Sequence, residues 1–400
     1  MLICSKCASE KIYKNGTRNN KQRYECGDCH TEAKPLGLDE VCDPEILEEN
    51  VKLAKDKQRL QDKNRIERKS FREMARIENA VSEYIRELRT AVLSKNIPPV
   101  KVHKGKSPKA MVVQISDTHF NELVDIVGNK YDFKVASKRL YKYAEKIILY
   151  LNTHGIKNIY LVMTGDLLNS DRRVDELLSM ATNRAKATFL GVKLLTQFIT
   201  DLNKHANVNV ISVTGNESRI REDYTYTDAL ATDNFDFMIY EMMKTMFAKS
   251  KSIKFLSGDT FEYIFNINGT NFLVTHGHQL GGMKTPDISK AISKWSRKGV
   301  NIDIIMCGHL HEACITDSLA RCGSLVGANA YSDVGLNLHS RASQNVHIIH
   351  DDGGVDSVRV DLQNVDDASG MYEIDESLEA YNAKSISKIQ KQTNILKIVI

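Results

Sequence analysis

Five short clusters, Asp117-Thr118-His119, Gly165-Asp166, Gly215-Asn216, His276-Gly277-His278 and Gly308-His309-Leu310-His311, carry side chains suited to holding two metal ions. Their donors are carboxylate and amide oxygens and imidazole nitrogens, with no thiolate, a set that suits Mn²⁺, Fe or Zn²⁺ better than Cu(I) or an iron–sulfur cluster. Two cations about 3.5–4 Å apart need a shared anion to relieve their repulsion, and such a pair can lower the pKa of a bound water, clamp a phosphate and stabilise both attacking and leaving oxygens. A lone Asp-x-His or Gly-Asp is commonly a turn or a hydrogen-bonded surface pair, so the weight lies in the ordered set.

Each cluster follows an apolar run that reads as a buried parallel strand: Met111 to Ile115, Ile159 to Met163, Val208 to Val213, Phe272 to Thr275 and Ile302 to Met306. Strand carboxyl ends share one edge of a sheet, and ligands of open α/β sheets collect outside that edge. Side chains far apart in sequence are therefore expected to converge there.

In this order of motifs the chain resembles the calcineurin-like metallophosphoesterase superfamily, in particular its repair-nuclease branch in a phage-type setting. The resemblance implies that Asp117, His119 and His311 hold one metal, Asn216, His276 and His309 the other, and that Asp166 bridges them. It implies two divalent ions, manganese first with Fe, Ni or Zn as alternatives, and a hydroxide between them as nucleophile, with no covalent enzyme intermediate. His278, two residues past a ligand, reads equally as a support for the ligands or as a solvated loop histidine. One departure matters: where the family has Gly-Asn-His, this chain reads Gly215-Asn216-Glu217-Ser218-Arg219. The missing His is the leaving-group acid, a role that typically contributes about 10²–10⁴-fold. Glu217 beside two cations is expected to be a poor proton donor and to repel a dianionic monoester, so the resemblance implies a phosphodiesterase. Arg219 is expected either to hold a phosphate oxygen in its planar fork or to form an exposed salt bridge.

A second motif lies at the N-terminus, where Cys4-Ser5-Lys6-Cys7 and Cys26-Gly27-Asp28-Cys29 have the spacing of a tetrahedral Cys₄ zinc site. Between them Lys14-Asn15-Gly16-Thr17 reads as a hairpin turn and Gln22 to Glu25 as a short strand. The arrangement resembles the zinc ribbons ahead of transposase and phage DNA-processing domains and implies one structural Zn. A redox or unmetallated pair is the alternative, and His30 stands near enough in sequence to replace a cysteine.

Charge is unevenly placed. Residues 1 to 110 hold 24 Lys+Arg against 17 Asp+Glu, net +7, leaving 31 against 34, net −3, for the rest of a 400-residue chain whose total is +4. From Val51 to Arg76 there are ten basic side chains against four acidic. Lys55, Lys57, Arg59, Lys63, Arg65, Arg68 and Lys69 are candidate contacts to a nucleic-acid backbone, DNA before RNA, with a solvated helix face as the plainer alternative. This arm reads as a long helix from Pro44 to Ser94, N-capped by Asp43. Its later half carries an apolar stripe, Met74, Ile77, Val81, Ile85, Leu88 and Val92, for docking on the catalytic domain, a second copy or a partner protein. Gly105-Lys106-Ser107 is not a Walker A loop, because Val100 stands where its first Gly belongs.

Expected boundaries are residues 1–36 for the ribbon, 37–107 for the arm and linker, 108–365 for the catalytic domain and 366–400 for an extension. Helices are expected from Asp132 to Asn152, Val174 to Asn203, Asn234 to Lys249, Asp287 to Lys298 and Asp375 to Lys391, with a last strand from Ile395 to Ile400. Hairpins are expected around Asn268-Gly269 and Asp351 to Gly354. The fold class is α/β (α+β), a four-layer αββα sandwich with an N-terminal zinc ribbon and a helical arm. Trp295 is expected in the core. Without a signal peptide, a long apolar run or a disulfide-like pattern, the chain reads as a cytoplasmic protein with no membrane partner, in a host cytoplasm if phage-encoded. The leading expectation is a nucleic-acid phosphodiesterase, a DNA nuclease or end-processing enzyme. The alternatives are a small-molecule phosphatase or cyclic-nucleotide phosphodiesterase, and a nucleic-acid-binding adaptor with a weakened site.

Overall fold

The computed structural model describes residues 2–7, 9–32, 35–37, 52–65, 68, 108–172, 176–177, 179–220, 230–329, 332 and 340–374. The chain divides into two units, Met1–Glu83 and Tyr84–Ile400.

In the first unit β1 (Leu2–Cys4) pairs antiparallel with β4 (Pro35–Gly37), and β2 (Ile12–Arg18) with β3 (Lys21–Cys26). The hairpin reverses at Asn19-Asn20 and not at the expected Lys14-Asn15-Gly16-Thr17: Arg18 faces Lys21, and the two asparagines between them have φ of 53° and 61°. Asparagine tolerates the left-handed backbone that a two-residue turn requires. Asn15-Gly16 instead falls within β2, where the register shifts between Lys14 and Thr17 and Gly16 has φ of 68°. Residues 52–65 are helical and exposed throughout. The remainder of the expected arm, with its apolar stripe, lies outside the described residues.

The second unit is built on two sheets, with β6 (Val124–Ile126) and β7 (Asn129–Tyr131) forming a separate antiparallel pair. The first has the order β10 (Ile253–Ser257), β9 (Asn207–Ser212), β8 (Asn158–Met163), β5 (Ala110–Ile115), β16 (Ser343–Ile349) and β17 (Val355–Asp361). Its first four strands run parallel and its last two antiparallel. The second has the order β11 (Glu262–Ile267), β12 (Thr270–Thr275), β13 (Ile304–Cys307), β15 (Leu319–Arg321) and β14 (Cys314–Ile315), with β12, β13 and β15 parallel. The strands expected to share one sheet edge are thus split three and two between two sheets.

Side-chain alternation makes the layers. From β5, Ala110 and Val112 face a core shared with Phe272, Val274 and Met306 of the other sheet, while Met111, Val113 and Ile115 face helices. Those helices are Phe133–His154, Arg184–Asn203 and Phe235–Met246. Leu273, Ile305 and Cys307, on the far side of the second sheet, pack with Ile288, Ile292 and Trp295 of helix Thr285–Ser296. The result is four layers, helix, sheet, sheet, helix. Trp295 is only partly buried, with the Lys298 ammonium 4.5 Å from its ring centre.

Side-chain caps set the helix starts. Asp132 accepts from the Val135 N–H, Asn183 from Lys186 and Asn234 from Asp236, each cap worth about 1 kcal/mol. The Asn183 cap starts its helix at Arg184, ten residues after the expected Val174. Asn268 and Gly269, with φ of 51° and 94°, close the β11–β12 hairpin. Tyr372 is buried against the helix layer, and the Ser137 hydroxyl donates to its carbonyl. The helix and strand expected beyond it lie outside the described residues. Among the described residues no helix is long and apolar enough to cross a membrane.

Candidate metal centre

All five motif loops leave the carboxyl ends of parallel strands, and the two sheets bring those ends together. Backbone bonds stitch the loops: Asp117 N–H donates to the Gly165 carbonyl (3.1 Å), His119 to Asp166 (3.2 Å) and Gly308 to His276 (2.8 Å). Two donor groups result. Asp117, His119 and His311 form one, and Asp166, His276 and His309 the other, each with its ligand atoms within 4.8 Å of one another. In the first, the two Nε2 atoms of His119 and His311 lie 3.1 Å apart, and that of His311 lies 3.4 Å from Asp117 Oδ1. In the second, His276 Nε2 lies 2.9 Å from Asp166 Oδ2. The groups adjoin, since the His309 N–H donates to Asp117 Oδ2 (3.0 Å).

Close approach explains the glycines of two motifs. A Cβ on Gly215 would come within 2.1 Å of Asp166 Oδ1, and one on Gly308 within 2.2 Å of Asp117 Oδ2. Strain marks the same place. Of ten non-glycine residues with positive φ among those described, five are Asp117, His119, Asp166, His309 and His311, with φ between 40° and 74°. Left-handed backbone at such residues costs of order 1–3 kcal/mol each and persists where the surroundings over-determine it, a pattern that clusters at functional sites.

The buried polar atoms fit a cation. Among those with no hydrogen-bond partner are His119 Nδ1, Asn216 Oδ1 and His278 Nδ1. An unpaired acceptor in a buried site is costly unless something positive satisfies it. Charge balance points the same way. Burial alone would push His276 down, yet the Asp166 carboxylate overrides it and drives the imidazole up to about 10. Burial likewise works to raise Asp117 and Asp166, and adjacent His311 and His276 hold both below the ordinary carboxylate range.

His278 lies in a short 3₁₀ turn, His278–Leu280, with its ring centre 5.5 Å from that of His276 and 6.1 Å from that of His309. Burial first, then the neighbouring His276, pushes it down to about 3, so it is neutral at pH 7 and is not a solvated loop histidine. Arg219 is buried, and its carbonyl accepts from Arg184 Nη2. Glu217 Oε2 accepts from Arg172 (3.0 Å) and Oε1 from Asn216 Nδ2 (2.6 Å).

Asp236 escapes any sequence motif. Its buried carboxylate accepts the backbone N–H groups of Asp166 (3.0 Å), Leu167 (2.9 Å) and Gly215 (2.9 Å), locking the loops after β8 and β9 to each other. Asn234, readable as a helix cap, donates its amide to the Gly215 carbonyl (2.9 Å). An acid in the first turn of a helix is so common that Asp236 carries no signal in sequence.

In the N-terminal unit the four Sγ atoms of Cys4, Cys7, Cys26 and Cys29 lie within 4.8 Å of one another. His30 is 80% exposed and stands outside that group. Lys55, Lys57, Arg59, Lys63, Arg65 and Arg68 are exposed, with Arg59 3.8 Å from Asp56, and Lys69 lies outside the described residues.

No family model matches the chain, and no curated protein matches it. Among solved structures, zinc-complexed Vps29 from Entamoeba histolytica is 14% identical with a TM-score of 0.28, over 63% of this chain and 99% of that one. Vacuolar protein sorting 29 from Cryptosporidium parvum is 13% identical with a TM-score of 0.30, over 64% and 99%. A predicted phosphoesterase from Streptococcus pneumoniae TIGR4 is 12% identical with a TM-score of 0.26, over 64% and 99%.

Proposed function

We propose that the chain is a two-metal phosphodiesterase of the calcineurin-like type that hydrolyses nucleic-acid diester bonds. The observation that carries the reading is the pair of adjoining donor groups, Asp117–His119–His311 and Asp166–His276–His309, built on strained backbone at the convergence of five strand ends. When bound, two divalent cations there supply Lewis acidity toward a phosphate and acidify a water.

The protein's own residues supply position. The Thr164 carbonyl accepts from His276 Nδ1 (2.8 Å) and turns Nε2 toward Asp166. The Ser116 hydroxyl and the His309 N–H hold the Asp117 carboxylate, while the Glu217 N–H donates to Asp166 Oδ1 (2.7 Å). Glu217 stands where the calcineurin-like pattern has its leaving-group His, a departure that supports a diester over a monoester substrate. Nucleic acid is the substrate class that best suits the basic residues of the N-terminal unit.

The test is hydrolysis, with and without Mn²⁺, of a chromogenic diester, the matching monoester and end-labelled DNA, with Asp166→Asn as control. Metal-dependent cleavage of diester and DNA that the variant lacks is expected. A diester cleaved equally well by Asp166→Asn would sink the proposal. Deleting residues 1–107 should weaken binding to long DNA and spare the small diester.

A further inference from the structure

We propose that Glu217 is a positioning residue that orients Asn216 as a metal ligand, not a displaced leaving-group acid; the inference rests on the two-metal reading above. Asn216 lies between two residues that touch the Asp166 carboxylate, Gly215 by close packing and Glu217 through its N–H. An amide has two chemically different ends, and only the oxygen can ligate a cation. Glu217 Oε1 takes the Nδ2 end at 2.6 Å. A carboxylate accepts and cannot accommodate the amide oxygen, so this contact selects one of the two amide orientations. The oxygen thereby left over, Asn216 Oδ1, is buried and has no partner.

Glu217 is itself held at both ends. Arg172 Nη2 lies 3.0 Å from its Oε2, and Arg184 Nη2 donates to its carbonyl at 3.0 Å. The Arg172 backbone is held in turn, because Glu176 accepts from the Arg172 N–H (3.0 Å) and from the Ser170 hydroxyl. With both carboxylate oxygens engaged in this way, Glu217 has the geometry of an orienting group. Partners of this kind are typically worth about 10–100-fold in metal affinity.

The experiment is Mn²⁺ titration of the full-length protein by calorimetry, comparing wild type, Glu217→Ala, Glu217→Gln, Asn216→Ala and the double variant Glu217→Ala/Asn216→Ala. Wild type is expected to take two ions. Glu217→Ala should weaken one by about 10–100-fold and leave the other unchanged. Glutamine keeps one acceptor but turns its NH₂ toward either Arg172 or the Asn216 amide, so Glu217→Gln should fall between wild type and Glu217→Ala. The double variant should be no worse than Asn216→Ala, as expected when one residue acts through the other. Undiminished affinity in Glu217→Ala, or a double variant clearly weaker than Asn216→Ala, which would trace the effect to the charge of Glu217 acting directly, overturns the proposal while leaving the two-metal reading standing. A wild type that binds no Mn²⁺ overturns both.

Discussion

His276 Nε2 stands 2.9 Å from Asp166 Oδ2 while its Nδ1 bonds the Thr164 carbonyl at 2.8 Å. A carbonyl only accepts, so the Nδ1 proton is committed there, and the ring's other nitrogen meets a carboxylate. With the imidazole raised to about 10, the Nε2 proton joins the two, and a divalent cation bound there would take that proton's place.

Mn²⁺ should therefore stabilise the fold. At a free concentration one hundred times its dissociation constant, one bound ion adds about 2.7 kcal/mol. The melting temperature of wild type should rise with Mn²⁺ and fall back with chelator, and His276→Ala should lose most of the rise. No shift at saturating Mn²⁺ would rule out the predicted linkage.

Asp236 makes a second prediction. Its Oδ2 receives the Asp166 and Gly215 N–H groups and its Oδ1 that of Leu167. In Asp236→Asn one acceptor becomes an NH₂ group facing a backbone donor, leaving buried groups unsatisfied at about 1–3 kcal/mol. Urea unfolding should show that loss, and Mn²⁺ titration should show weaker binding, because the loops carrying Asp166 and Asn216 lose their common anchor. A variant with native stability and native affinity would contradict the anchor role.

Asp236 also shows where sequence reading stops. The five motif loops were legible because apolar runs of strand length precede them and glycine accompanies the ligand in four, where close approach or left-handed backbone demands it. Periodicity could not divide the strands between two sheets, since a run buried on both faces reads the same in either. Asn15-Gly16 carried the stronger turn signal and lost to Asn19-Asn20, which shows that a local dipeptide does not set register alone. Asp236 and Arg172 act through contacts 70 and 45 residues away in sequence, and nothing near either residue advertises them.

A third prediction concerns acid. His347 is buried in β16, its Nδ1 2.7 Å from the Ser357 hydroxyl, and burial pushes it from 6.5 down to about 4. Between those values the unfolded chain binds the extra proton and the folded one does not, so stability rises with pH through that window. This contribution is fully present above about 6.5 and lost as the pH falls toward 4, by up to about 3 kcal/mol. Unfolding free energies measured from pH 7 to 4 should fall less steeply in His347→Gln than in wild type. Identical slopes would exclude His347 as a source of the acid sensitivity.

The four cysteines of the N-terminal unit make the last prediction. Among the described residues the unit's buried apolar cluster is Cys4 and Cys26, with Ile12 and Cys29 partly buried beside them, a small core for four short strands. A structural metal held by the four thiols, which lie within 4.8 Å of one another, would add its binding free energy to folding. Purified protein should carry one zinc per chain, and Cys26→Ser should lose it. In Cys26→Ser residues 2–32 should open to protease while Mn²⁺-dependent hydrolysis of a small diester continues, since the six histidines and acids of the two donor groups all belong to the other unit. Protease resistance that survives complete zinc removal would show that the hairpins fold without the metal.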